Sequence, residues 1–105
     1  METVRLDGAK RRTRIWVVVD DNKVYVRSVR GERGHWYQST RGRPDEVALV
    51  AGEQVIPVRV VPAADADSVA RCSAALERKY GRSRASFQSM VQPSTLETTL
   101  RLEPR

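Results

Sequence analysis

Little in this chain invites a metal, a disulfide or a membrane. One cysteine, Cys72, in 105 residues excludes an intramolecular disulfide and leaves no second thiolate for a cysteine-type zinc site. A single histidine, His35, weakens other zinc arrangements, so no metal is expected. The longest apolar run is Ile15 to Val19, far short of the roughly 20 residues that a membrane helix needs. The stretch Met1 to Leu6 lacks the long apolar segment of a signal peptide, so a cytoplasmic protein without a membrane partner is expected. Also missing are internal repeats, a Walker loop, a dinucleotide fingerprint and a nucleophile elbow around Ser68 or Ser73.

What is present fits one domain over residues 1–105. With 30% charged and 40% hydrophobic residues, the composition is that of an ordinary globular chain. The net charge of +6 is unevenly placed. Residues 1–44 hold eleven Lys and Arg against five Asp and Glu, whereas residues 45–105 hold eight of each. A field concentrated in this way attracts a phosphate ester, an anionic protein or nucleic acid.

Hydrophobic periodicity predicts six strands. Val4 to Leu6 is short and is followed by an Asp7-Gly8 turn; Thr13 to Asp20 is rich in β-branched and aromatic residues. Asp20 to Lys23 turns the chain, and Val24 to Val29 returns antiparallel. Val47 to Val50 and Val55 to Val61 form a second hairpin, with Pro57 marking an edge or a bulge. From Asp65 the period lengthens to that of a helix, with Val69, Cys72, Leu76 and Tyr80 on one face and Asp65 or Asp67 as cap. Shorter helices are predicted at His35 to Gln38 and Ser86 to Val91, and a last strand at Leu96 to Leu102. These elements predict an α+β, mainly β fold, a small barrel or half-barrel with one long helix before its final strand.

Chemistry concentrates in residues 12–37. Arg30, Gly31, Glu32, Arg33 and Gly34 combine guanidinium forks matched to phosphate oxygens with glycines that let backbone N–H groups turn toward an anion. Ser28 stands just before them. Trp36 and Tyr37 offer flat faces for stacking, although aromatic residues more commonly fill cores. Arg11, Arg12, Thr13 and Arg14 lead into the first long strand, where arginines and a hydroxyl can hold a phosphate beside the loop. Trp16, on the same face as Arg14 by alternation, is a candidate for the floor. His35 is of the side-chain type most used for acid–base work, but no acid at a recognisable spacing orients it for catalysis. Cys72 reads as a small core residue. A solvated basic turn is the competing explanation for the arginines.

The stretches Arg14 to Asp20, Val24 to Ser28, Trp36 to Gln38, Ala75 to Tyr80 and Thr98 to Pro104 resemble an uncharacterised bacterial family of unknown function. That family is in turn similar to the split β-barrels of pyridoxamine-phosphate-oxidase-like flavoproteins and deazaflavin-dependent reductases. The resemblance implies a homodimer with FMN or a deazaflavin coenzyme in grooves between subunits. It assigns the cofactor phosphate to Arg30 and Arg33, to Ser28, and to Arg12 or Arg14, with Trp36 as the stacking residue. In such proteins the cofactor carries the hydride chemistry and the protein anchors and shields it. A possible flavin- or deazaflavin-dependent oxidoreductase is therefore the leading expectation. A non-enzymatic basic module for nucleic acid or an anionic protein, or a dimeric domain that has lost its cofactor, are the alternatives.

Overall fold

Alternation along the strands sorts the apolar residues into two cores, one on each face of a single curled sheet. The computed structural model describes residues 1–4, 8–28, 30–81 and 88–104. Its elements are β1 (Glu2–Val4), β2 (Lys10–Arg12), β3 (Val17–Asp20), β4 (Lys23–Val26), a 3-10 turn (Gly31–Arg33), α1 (His35–Gly42), β5 (Val47–Ala51), β6 (Gln54–Pro62), α2 (Ala66–Tyr80), α3 (Pro93–Leu96) and β7 (Leu100–Pro104). The strand order is β2-β1-β5-β6-β7-β4-β3, and every neighbouring pair is antiparallel. The curled sheet forms a half-barrel whose end strands, β2 and β3, do not pair with each other among the described residues. The expected α+β, mainly β architecture is thus present, with seven strands rather than six.

Val26 of β4, Val58 and Val60 of β6, and Leu100 and Leu102 of β7 pack on the inner face with Trp36 and Tyr37 of α1. Tyr25, between Val24 and Val26, instead joins Val18 and the α2 residues Cys72, Ala75 and Leu76 on the outer face. The two helices therefore cover opposite faces of one sheet. Trp16 stacks against Tyr80 at the end of α2, with ring centroids 4.2 Å apart, so it belongs to the outer core and not to the floor of a phosphate site. No described helix is long and apolar enough to cross a membrane.

Turn chemistry sets the hairpins. Asp21 and Asn22 both take positive φ (51° and 60°) between the paired Asp20 and Lys23, the two-residue geometry that matches strand twist. Gly52 (φ 62°) turns the chain between β5 and β6. In β6, residues 54–57 pair with β5 alone among the described residues, because the described β7 ladder ends with Pro104 opposite Val58. Pro57 therefore sits where its missing N–H costs no described ladder bond to β7, an edge-like place within an interior strand.

Two expectations for the strands need correction. Residues 13–16 are not strand; β3 starts at Val17, and the basic Lys10–Arg12 segment forms an edge strand that has no alternating pattern to announce it. The expected last strand begins at Leu100, not Leu96. Pro93 starts α3 in the first-turn position that suits it. The hydroxyls of Thr95, Thr98 and Thr99 then donate to the carbonyls of Gln92, Thr95 and Leu96 at 2.7–2.8 Å, offering the backbone local partners in place of a ladder. The ends of the strands expected at Val4 to Leu6 and Val24 to Val29, and Ser86 and Phe87 of the helix expected at Ser86 to Val91, lie outside the described residues; residues 88–90 of that segment are helical.

Arg27, just past β4, is only 2% exposed. Its Nε donates to Thr99 Oγ1 at 2.9 Å, Nη1 to the Met90 carbonyl at 3.1 Å and Nη2 to the Val69 carbonyl at 2.8 Å. Burial lowers its pKa from the usual arginine range, with Cys72 acting weakly in the opposite sense, while burial pushes the Cys72 thiol up. This one side chain ties the end of β4 to α2, to Met90 and to the segment before β7. Arg27→Ala removes these bonds and opens a cavity; we expect a loss of about 3 kcal/mol or more, read from urea unfolding.

Asp65 caps α2 by accepting from the Ser68 backbone N–H at 3.0 Å. That backbone bond is the main cause of its lowered pKa, followed by the Ser68 side chain. A carboxyl that ionises more readily in the folded than in the unfolded chain contributes fully above its unfolded pKa and loses that contribution as pH falls through its folded pKa. The stability gap between wild type and Asp65→Ala, measured by thermal melts across pH, should accordingly be open at neutrality and close on acidification below about pH 4.

Candidate functional site

The loop between β4 and α1 is folded tightly enough to form the wall of a cavity. Gly31 takes φ 64°, and a Cβ there would meet the Ser94 carbonyl at 3.0 Å, so only glycine suits that turn. Gly34 then caps α1 from an extended conformation, donating its N–H to the Gly31 carbonyl at 3.1 Å. A Cβ on Gly34 would stand 2.3 Å from Ser28 Oγ. The serine hydroxyl thus occupies the space that any other residue at position 34 would fill.

Around this point lies a cavity of about 280 Å3 lined by Arg11, Thr13, Arg14, Ser28, Arg30, Gly34, His35 and Trp36. Among the described residues, its lining contains no acidic side chain. Ser28 is 1% exposed, and its Oγ has no hydrogen-bond partner among the described residues. Its backbone is fixed separately, the N–H donating to Thr98 Oγ1 at 3.0 Å. An unpaired buried hydroxyl costs about 1–3 kcal/mol, an outlay that a bound acceptor would offset.

Four of the residues expected to hold a cofactor, Arg14, Ser28, Arg30 and Trp36, meet in this cavity. Trp36 is also part of the inner core at 8% exposure, edge-on to Tyr37, so it forms wall more than open platform. Arg12 and Arg33 are elsewhere. Arg12 lies opposite Glu2 in the β1–β2 register and pairs with its carboxylate at 3.1 Å, leaving its neighbour Arg11 to line the cavity. Arg33, on the 3-10 turn, is exposed and does not line it. Arg59 of β6 is also elsewhere and pairs with Asp45 at 2.8 Å.

Sequence reasoning left two features unresolved. Arg11 was named beside Arg12 in the candidate basic segment, and only the register with β1 tells the two apart. The amino end of α1 is the other: Gly34 provides no side-chain cap, and the first helical backbone bond is Gln38 N–H to the Gly34 carbonyl. The N–H groups of the first turn are left without a side-chain acceptor beside the cavity, with the positive end of the helix dipole.

Arginines away from the cavity are mostly neutralised, in pairs with Glu2, Glu46, Asp45, Asp67, Asp20 and Glu103. Arg11, Arg14 and Arg30 make no ion pair among the described residues. The arrangement suits an anion that supplies several acceptor oxygens. Replacing Ser28 with alanine removes an unsatisfied buried group, so Ser28→Ala should be more stable than wild type by about 1 kcal/mol in anion-free buffer, read from denaturant midpoints.

Comparison with known proteins places these features in a family. Residues 1–102 match the profile of a family described as "Uncharacterized protein conserved in bacteria (DUF2255)". No curated protein matches the chain. Among solved structures, the chain is similar to the conserved hypothetical protein Rv2991 from Mycobacterium tuberculosis, at 14% identity and a TM-score of 0.63, over 96% of this chain and 67% of that one. At that identity the likeness concerns the fold alone.

Proposed function

This chain belongs to the DUF2255 family of uncharacterised bacterial proteins, and we propose that it binds a flavin-type cofactor, FMN or a deazaflavin coenzyme, as a cytoplasmic homodimer. The observation that carries this reading is Ser28 Oγ, buried without a partner among the described residues, in a cavity whose described lining holds three arginines and no carboxylate. Phosphate is the group whose charge and geometry fit those donors. The cavity is at the small end for ligand sites, which run from roughly 300 Å3 upward; it accommodates the phosphate end of such a molecule, and a second copy of the chain would cover the rest.

In this reading Arg11, Arg14 and Arg30 neutralise the phosphate, Ser28 donates to it, and Trp36 closes the cavity against water. A bound flavin or deazaflavin supplies two-electron hydride transfer, which makes an oxidoreductase the activity proposed for the chain. The protein's part is to fix the cofactor's phosphate end. No side-chain acid or base is assigned to the chemistry.

The reading is tested by titrating FMN and a deazaflavin coenzyme into the purified protein and following their absorbance and fluorescence. Binding in the micromolar range is expected, weakened about tenfold or more in Arg30→Ala. If neither cofactor binds at micromolar protein, the proposal fails. A second reading, a basic module for nucleic acid, draws on β2, whose Lys10, Arg11 and Arg12 are all exposed at the sheet edge. It requires binding that needs no cofactor and falls steeply with salt.

A further inference from the structure

Not every phosphate group can use this cavity equally. Its two innermost polar elements, the Ser28 hydroxyl and the Gly34 backbone at the amino end of α1, are buried, whereas Arg11, Arg14, Arg30 and His35 are exposed. Donors at a closed end and cations at an open one favour an anion that enters with its oxygens leading and its covalent link trailing outward. A phosphate monoester has three terminal oxygens and a single link. It also carries up to two negative charges, matched to three guanidiniums that make no ion pair among the described residues and to a helix amino end. A phosphodiester has two terminal oxygens, one charge and chain leaving on both sides, one of which would have to run into the buried end.

We infer that the cavity is selective for terminal phosphate monoesters, read by Ser28 Oγ and the first-turn N–H groups of α1, with Gly34 as the residue that leaves room for that hydroxyl. This rests on the proposed phosphate role of the cavity and narrows it: FMN, which ends in a monoester, fits, while the phosphate of a deazaflavin coenzyme or of nucleic acid, esterified on both sides, does not. Gly34 is suited to test the idea because its φ of −60° is open to any residue. Alanine there acts through space alone, by placing a methyl 2.3 Å from Ser28 Oγ. In the double variant Ser28→Ala/Gly34→Ala that clash is gone, since the methyl is then 3.5 Å from the residue-28 Cβ and 3.4 Å from the Gly31 carbonyl.

The experiment compares methyl phosphate with dimethyl phosphate at pH 8, monitored by NMR shifts of the backbone amides of residues 28 and 34–36, with FMN and riboflavin titrated alongside. Methyl phosphate should bind at least tenfold more tightly than dimethyl phosphate and move those amides. Gly34→Ala should lose both stability and methyl phosphate binding; adding Ser28→Ala should restore the stability and leave binding lost. Equal affinity for the two esters, or tight methyl phosphate binding retained by the double variant, overturns the inference. Methyl phosphate binding without FMN binding keeps it and removes the flavin proposal. FMN binding with no preference between the esters does the reverse.

Discussion

Removing a guanidinium from water costs several kcal/mol unless its donors find partners, and Arg27 meets that condition without a described carboxylate. It donates instead to two carbonyls and a threonine hydroxyl drawn from α2, from Met90 and from the segment before β7. Because these segments are far apart in sequence, their positions are set relative to β4 by one side chain. Thr99 is doubly engaged, accepting from Arg27 and donating to the Leu96 carbonyl. Thr98 is engaged in the same manner with Ser28 and Thr95. The backbone that presents Ser28 to the cavity is thus braced from behind, while the hydroxyl itself has no partner among the described residues. Rigid support with an open valence is the arrangement that binding sites need, and it carries a cost in stability when nothing is bound.

Charge is sorted by place. Most arginines on the outer faces are matched by acids, among them Asp20, whose carboxyl Arg71 and Arg78 hold below the ordinary aspartate range. Exposed pairs of this kind contribute little to stability. Their effect is to cancel part of the field away from the cavity, whereas Arg11, Arg14 and Arg30, which line it, make no ion pair among the described residues.

Much of this was legible in the sequence because it depends on local chemistry. The Asp21-Asn22 turn, the capped α2 helix and the glycine-punctuated loop after Ser28 follow from residues that are close together along the chain. What was not legible depends on pairing. Lys10, Arg11 and Arg12 are identical in kind to a solvated turn until the Glu2–Arg12 register distinguishes Arg12 from Arg11. Leu96 to Leu102 alternates like a strand, yet three threonine hydroxyls have nearer acceptors in a helical turn. Arg27, by type a surface residue, is buried by partners more than forty positions away. For Trp36, membership of the inner core and of the cavity wall are both true, a combination that neither the core nor the platform expectation contained.

The overhang of β6 has a dynamic corollary. Among the described residues, 54–57 are paired with β5 alone, and Val55 and Ile56 are 48% and 45% exposed, so little described apolar contact resists separation of the hairpin tip. The ladder from Val58 to Pro62 is flanked by β5 at its start and by β7 throughout, with Val58 and Val60 in the inner core. One continuous strand therefore spans two levels of cooperativity: amides near the tip exchange with solvent through small local openings, while those near Val60 exchange only when the core itself comes apart.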